Sequence, residues 1–344
     1  MSISIATTGT PARPIWWPVA QGLAVVAVVV AALSQHTALL SGAGRLGALS
    51  PGLVGAAVVA EVVSFAALAE LQRRLLEAGD AHIDRRSLAA VDLASGAMAD
   101  TLPAGFAFST VYTYRQITRW GARPAVAVWV LAATGVLCVA GLVVLGAVGA
   151  QVGGLGLLSM PLGVLVGAGF AAVAAVLFAG LVWVSGSRAR LERVARLVRR
   201  LEAPVSRALR RGGDESNDGE MGWPVFDRPD GVALGLGAWA QLIVLAEVNW
   251  LADVAVLALA FAAAGEGVPW SGLLLAYALS QVAASIPLLP GSIGVAEGSL
   301  AVGLIAAGAH PTGAVAAVLI YRLITFWLLL PVGWGLWVAL RRRA

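Results

Sequence analysis

The chain has 344 residues, of which 59% are hydrophobic and 12% charged, with a mean hydropathy of +0.86. Soluble domains carry about 25% charged residues, so an ordinary cytosolic enzyme is excluded, and the apolar residues fall in runs of the roughly 20 residues that cross a bilayer. The net charge of +4 rests on arginine alone, and the single Cys138 excludes a disulfide framework or a thiolate metal site.

Taken in chain order, the first apolar run is Ile15 to Leu33. It is too long for the core of a secretory signal and further runs follow it, so it predicts a retained helix. The second run is Gly52 to Leu71. The stretch Leu88 to Thr118 is apolar but broken by Asp100, Pro103 and Gly105. Ala125 to Gly149 and Gly156 to Ser185 come next. After a polar segment the runs resume at Val232 to Ala264, at Ser271 to Gly308 with breaks at Pro287 and Pro290, and at Gly313 to Leu340.

Short cytoplasmic loops collect arginine, and this orients the runs. Arg73, Arg74, Arg85 and Arg86 follow the second run, and Arg115, Arg119 and Arg123 follow the first broken stretch. Nine arginines lie between Arg188 and Arg211, and Arg341, Arg342 and Arg343 close the chain. For all of these to be cytoplasmic, the stretch around Pro103 must enter and leave on one side, and the stretch around Pro290 must dip in from the other. Crossing once as a kinked helix, the first broken stretch would instead put Arg115, Arg119 and Arg123 outside. The expected fold is an all-α polytopic membrane protein with about six full spans, two re-entrant broken hairpins and both termini cytoplasmic.

An internal repeat agrees with this orientation. With Pro103 laid on Pro290, Gly121-Ala122-Arg123-Pro124 falls on Gly308-Ala309-His310-Pro311, and Ala60-Glu61-Val62 falls on Ala246-Glu247-Val248 after a one-residue slip. The expected organisation is one membrane domain over residues 1–344, with a first repeat over 52–149 and an inverted second repeat over 232–340. Between them, residues 186–231 form a cytoplasmic basic amphipathic helix and an acidic loop. Inverted repeats with broken helices meeting near the midplane are a transporter pattern, and non-helical backbone at that depth is tolerated only inside protein or along a wet cavity.

The C-terminal third carries the sequence PLLPGSIGVAEGSL from Pro287 to Leu300, then AVLIYRLITFWLLLPVG from Ala317 to Gly333. The Pro-Gly-x-x-Gly-Val-x-Glu stretch and the Tyr-Arg-Leu-x-Thr-x-Trp that follows resemble the flippase-like family that includes the membrane part of lysylphosphatidylglycerol synthases. Glu61-x-x-Ser64 and Leu102-Pro103-x-Gly105 are similar to its first-half elements, and the chain departs from the family at Ser292, where a second glycine is more frequent. The resemblance implies lipid handling in the membrane, and the absence of Lys with the Ala/Val/Gly/Leu bias suits a GC-rich bacterial genome, so a bacterial plasma membrane is expected. The soluble stretch near Arg188 to Asp230 is too short for the aminoacyl-transfer domain of the synthases, so catalysis of that kind is not expected.

Ionisable side chains within spans cost about 2.5 to 3.5 kcal/mol each on insertion scales and face the protein interior. Glu61, Glu247, Asp253, Glu297 and Arg322 stand in such runs, with Asp100 just before Pro103. These six are the expected headgroup and translocation residues. Arg322 suits a lipid phosphate because its planar fork matches phosphate oxygens, and it needs a carboxylate partner, either Glu297 or Glu247. The breaks at Pro103 and Gly105, and at Pro290, Gly291, Ser292 and Gly294, are expected to offer backbone amides to an anion. Asp100 could instead cap the second arm of its hairpin.

The expected function is translocation of a phospholipid, aminoacylated phospholipid or polyprenyl-phosphate-linked lipid between leaflets. The alternatives are a membrane enzyme acting on lipid headgroups, or a docking partner of a lipid synthase. The membrane lipids themselves are the expected partners, with the Arg188 to Arg211 helix either lying on an anionic inner leaflet or docked on the bundle as a solvated cytoplasmic helix. No cofactor, metal or nucleic acid is expected, since His36, His82 and His310 are scattered and no nucleotide-binding motif is present.

Overall fold

The computed structural model describes residues 50–102, 105–152, 180, 234–285 and 292–342. The described part is helical: α1 (Pro51–Ala78), α2 (Arg85–Thr101), α3 (Gly105–Arg119), α4 (Pro124–Val152), α5 (Leu236–Ala263), α6 (Trp270–Ala284), α7 (Val295–Ala306), α8 (Pro311–Arg322) and α9 (Leu329–Arg342), with a π-helical turn at Leu323–Trp327 joining the last two. Among the described residues, α1, α4, α5 and the continuous segment 311–342 are long and apolar enough to cross a membrane. The protein is a polytopic membrane protein. The expected spans at Ile15 to Leu33 and Gly156 to Ser185, and the basic helix Arg188 to Arg211, lie outside the described residues.

Local chemistry sets these helix ends. Pro51, Pro124 and Pro311 each open a long helix, a position where the missing N–H costs nothing and the fixed φ is already helical. Asp84 caps α2 through a hydrogen bond accepted from the Arg86 amide at 3.0 Å. The two broken stretches are pairs of short helices. α2, α3, α6 and α7 have 17, 15, 15 and 12 residues, or about 18 to 26 Å at the helical rise, less than the roughly 30 Å of a hydrocarbon core.

The pairing of these elements has a simple plan. α1 and α5, each of 28 residues, form the largest helix–helix interface, and they run antiparallel. Ser64 donates to the Asn249 carbonyl at 3.1 Å, and Arg74, further along α1, donates to Gln241, further back along α5. Each hairpin packs on the closing helix of the other half: α2 lies against α9, and α6 against α4. The short arms pack on each other within each hairpin, α2 on α3 and α6 on α7.

Small residues make the crossed docking close. A side chain on Gly149 of α4 would press into the backbone between Leu274 and Leu275 of α6, 2.5 Å from the Leu275 nitrogen. In the other half, a side chain on Gly333 of α9 would strike the Leu93 carbonyl and come within 2.7 Å of the Ala97 methyl on α2. Two apolar cores result. One gathers Leu71, Leu75, Leu88, Ile117, Trp129 and Leu242; the other gathers Leu257, Phe261, Leu273, Leu300, Leu304 and Ile320.

Candidate functional site: buried charges at the second hairpin

Arg322 is the last residue of α8 and stands 11 residues beyond Pro311, about 17 Å along the helix at the standard rise. Its Nε donates to Glu297 Oε1 at 2.6 Å, and its side chain is 14% exposed against 25% for the glutamate. The other oxygen of Glu297 accepts from the Gly294 amide at 2.6 Å. One carboxylate thus closes the start of α7 and orients the guanidinium. The guanidinium also lies over the Phe326 ring, 4.4 Å from its centroid, a contact worth more when desolvated. Phe326 follows Arg322 by four residues, one turn along the helix, and lies within the π-helical turn Leu323–Trp327. Single π turns inside α-helices are frequent at functional sites.

The start of α7 carries unusual backbone. Gly294 has φ of +85° and Ser292 has φ of +50°, the left-handed region that L-residues other than glycine enter at a cost. The Ser292 hydroxyl donates to the Ala284 carbonyl at 2.5 Å, tying the end of one hairpin arm to the beginning of the other.

A second group of polar side chains stands beside the first. Asp253 of α5 accepts through Oδ2 from the Tyr277 hydroxyl of α6 and from the Tyr321 hydroxyl of α8 at 3.1 Å. Gln281 donates to the Tyr277 oxygen at 3.1 Å, and Trp250 packs edge-on to Tyr277 with ring centroids 6.1 Å apart. Glu61 of α1 is 6% exposed and lies in the electrostatic field of Asp253. Asp253 in turn lies in the field of Arg322, as does Asp100.

The expected site residues are therefore partly gathered. Arg322, Glu297, Asp253, Glu61 and Asp100 occupy one neighbourhood spread over α8, α7, α5, α1 and the last turn of α2. Glu247 does not join it, since its carboxylate points toward Gly141 of α4. The acidic neighbour of Glu61 on α5 is Asp253. Asp100 lies inside α2, which runs on to Thr101, and so does not cap the second arm. Glu297 sits in the first turn of α7, which starts at Val295. The Gly294 amide, expected to meet an anion, is taken by Glu297. Pro103, Pro290 and Gly291 lie outside the described residues, while Gly105 begins α3 against the carbonyls of Met98 and Ala99.

Several polar residues were not anticipated. Tyr277 and Tyr321 flank Asp253, and in the first half Gln72 donates to Asp92 at 2.9 Å with both side chains buried. Their signal is a polar side chain on the face that an apolar helix turns toward its neighbours. It is visible only once the packing face is known. Among the described residues, no group of three or more metal-ligating side chains is assembled.

Comparison with known proteins completes the description. Residues 19–333 match the family model described as Lysylphosphatidylglycerol synthase TM region. No curated protein matches the chain at a significant level.

Proposed function

Because the chain belongs to the Lysylphosphatidylglycerol synthase TM region family over residues 19–333, we propose that it moves a lipid headgroup between the two leaflets of a bacterial plasma membrane. The observation that carries this reading is Arg322. It is a nearly buried cation in the interior of an apolar helix, oriented by Glu297 at the point where the second hairpin changes direction. A guanidinium at such a depth is expensive and belongs to a substrate pathway more often than to a lipid-facing surface. Its fork suits a phosphodiester, which would exchange with Glu297 as the headgroup enters.

The architecture is read as an inverted-topology repeat. The antiparallel α1–α5 pair, the equal lengths of those helices and the crossed docking of each hairpin on the other half support that reading. So do the arms, too short to span. With two further spans at Ile15 to Leu33 and Gly156 to Ser185, this reading has six full spans, two re-entrant hairpins and both termini in the cytoplasm. The hairpins would close the cavity alternately from the two sides, the headgroup crossing between them while the acyl chains stay in lipid. The cargo class is a phospholipid, aminoacylated or not, or a polyprenyl-phosphate-linked lipid. Membrane lipids are the partners, with Arg188 to Arg211 resting on the anionic inner leaflet. The role is transport and not headgroup chemistry.

The test is leaflet exchange of labelled lipids in proteoliposomes, comparing the wild type with Arg322→Gln at equal reconstitution. Exchange of one lipid class, reduced at least tenfold by Arg322→Gln, is the expected result. Exchange absent for every lipid, or unaltered by the substitution, would overturn the reading.

A further inference from the structure

Glu61 and Asp253 face each other across the interface of the two halves. The Ser64–Asn249 contact fixes the register of the antiparallel helices. Glu61 lies three residues before Ser64 on α1, and Asp253 lies four residues after Asn249 on α5. In antiparallel helices these displacements run the same way, one turn along the pair, and both side chains return to the facing surfaces. The two carboxylates accordingly lie in each other's field.

Their free oxygens are buried. Glu61 Oε2 and Asp253 Oδ1 are both buried and have no hydrogen-bond partner among the described residues. Asp253 Oδ2 already accepts from two tyrosine hydroxyls, Tyr277 and Tyr321. Among the described residues, the other titratable or charged groups near the pair are those tyrosines, on α6 and α8, and Arg322 on α8, whose Nε is engaged by Glu297. Glu247 of α5 faces α4, and the π-helical turn carries no titratable side chain.

Two carboxylates ionised in each other's field inside the helix pair repel strongly. A proton shared between them would relieve that repulsion and give an unpartnered oxygen a donor.

We propose that Glu61 and Asp253 form a proton-carrying pair through which lipid movement is coupled to a proton gradient. The inference rests on the translocation reading for its cargo, while the proton site stands on the geometry of α1 and α5. Only an O–H bond forms and breaks. A carboxylate oxygen takes a proton from water when the pair opens to one side, and the proton returns to water when the pair opens to the other. With the proton aboard, the two halves close over a pair carrying one negative charge. Without it, the doubled charge opposes closure. Glu297 has no part in this, because both its oxygens are committed to Arg322 and the Gly294 amide.

The experiment uses the full chain in vesicles of phosphatidylglycerol and phosphatidylethanolamine, with two readouts. Infrared difference spectra across a pH titration should show a protonated carboxyl band in the wild type that is missing in Glu61→Gln and in Asp253→Asn and retained in Glu297→Gln. Thermal unfolding of each variant verifies that it folds. An imposed gradient of one pH unit should then drive about tenfold accumulation of the transported lipid in one leaflet for one proton carried per lipid. Glu61→Gln should abolish that accumulation. A carboxyl band that survives in both folded Glu61→Gln and Asp253→Asn overturns the proposal, as does a titration that follows sodium concentration, which would make the pair a metal-ion site. A band that behaves as stated, in a protein that exchanges no lipid, leaves the proton pair in place and removes the translocation reading instead.

Discussion

Ser64 and Asn249 touch each other, hydroxyl to carbonyl at 3.1 Å, and each is the fourteenth residue of a helix of 28. The contact joins the midpoints of α1 and α5, the pair with the largest helix–helix interface among the described residues.

That contact can be tested by cross-linking. In a Cys138→Ala background, Ser64→Cys paired with Asn249→Cys should be joined by a short bifunctional thiol reagent in membranes. Ser64→Cys paired with Leu236→Cys should not, because 13 residues of helix, about 20 Å, separate Leu236 from Asn249. Cross-linking of the second pair in preference to the first would refute the antiparallel register.

The proposed re-entrant course of the hairpins is tested by labelling. Single cysteines at His82 and Gly121, which flank the first hairpin, should both react with an impermeant thiol reagent from the cytoplasmic side. Cysteines at Gly267 and Gly308, which flank the second, should both react from the outside. Labelling of His82→Cys and Gly121→Cys from opposite sides would mean that the first stretch crosses once.

Much of the architecture was legible in the sequence, for a physical reason. Apolar runs of span length and the burden of arginine at their ends are one-dimensional signals, and they located α1, α4, α5 and the segment 311–342. Proline and glycine located the breaks. The pairing of Arg322 was narrowed to two carboxylates, of which Glu297 is the partner. What escaped is rotational. Whether Asp253 or Glu247 looks toward Glu61 depends on which face of α5 meets α1. The two residues are six apart, and no apolar stripe separates them, since the helix is apolar nearly all round. The placing of Tyr277 and Tyr321 around Asp253 is likewise a feature of packing, although Tyr321 and the π-helical turn lie within the Tyr-Arg-Leu-x-Thr-x-Trp stretch.

The ion pair at Arg322 should count toward stability as well as function. Breaking a fully buried pair from one side costs about 3 to 5 kcal/mol, and the partial exposure of both partners lowers this. Arg322→Gln and Glu297→Gln should each lose about 2 kcal/mol in detergent unfolding, with the double variant falling short of their sum by about 1 kcal/mol. Strict additivity would show that the pair has no mutual stabilisation.

Close helix docking predicts a graded glycine series. Gly149→Val and Gly333→Val should each destabilise by about 1 to 3 kcal/mol, the usual cost of overpacking. Gly135→Ala, on the same helix as Gly149 but with nothing within 4 Å, should be neutral or mildly stabilising in the same melting measurement. Equal tolerance at all three positions would contradict the crossed contacts.

Ser292 holds a left-handed backbone with φ of +50° while its hydroxyl ties the two arms of the second hairpin. Ser292→Gly relieves the first and removes the second, so its stability should change by less than about 1 kcal/mol, the size of each opposing effect. Ser292→Val keeps the strain and loses the bond, and should be the less stable of the two by about 1 to 2 kcal/mol. The reverse order in thermal melts would remove the left-handed turn.

Hairpin-gated translocation is tested most directly by fastening one hairpin in place. A Cβ on Gly146 of α4 would lie 3.3 Å from that of Ala278 on α6, close to the separation a disulfide spans. Gly146→Cys with Ala278→Cys, in the Cys138→Ala background, should exchange labelled lipid when reduced, stop when oxidised, and recover on adding reductant. Undiminished exchange with the disulfide fully formed would show that lipid crosses without this hairpin moving on the opposite half.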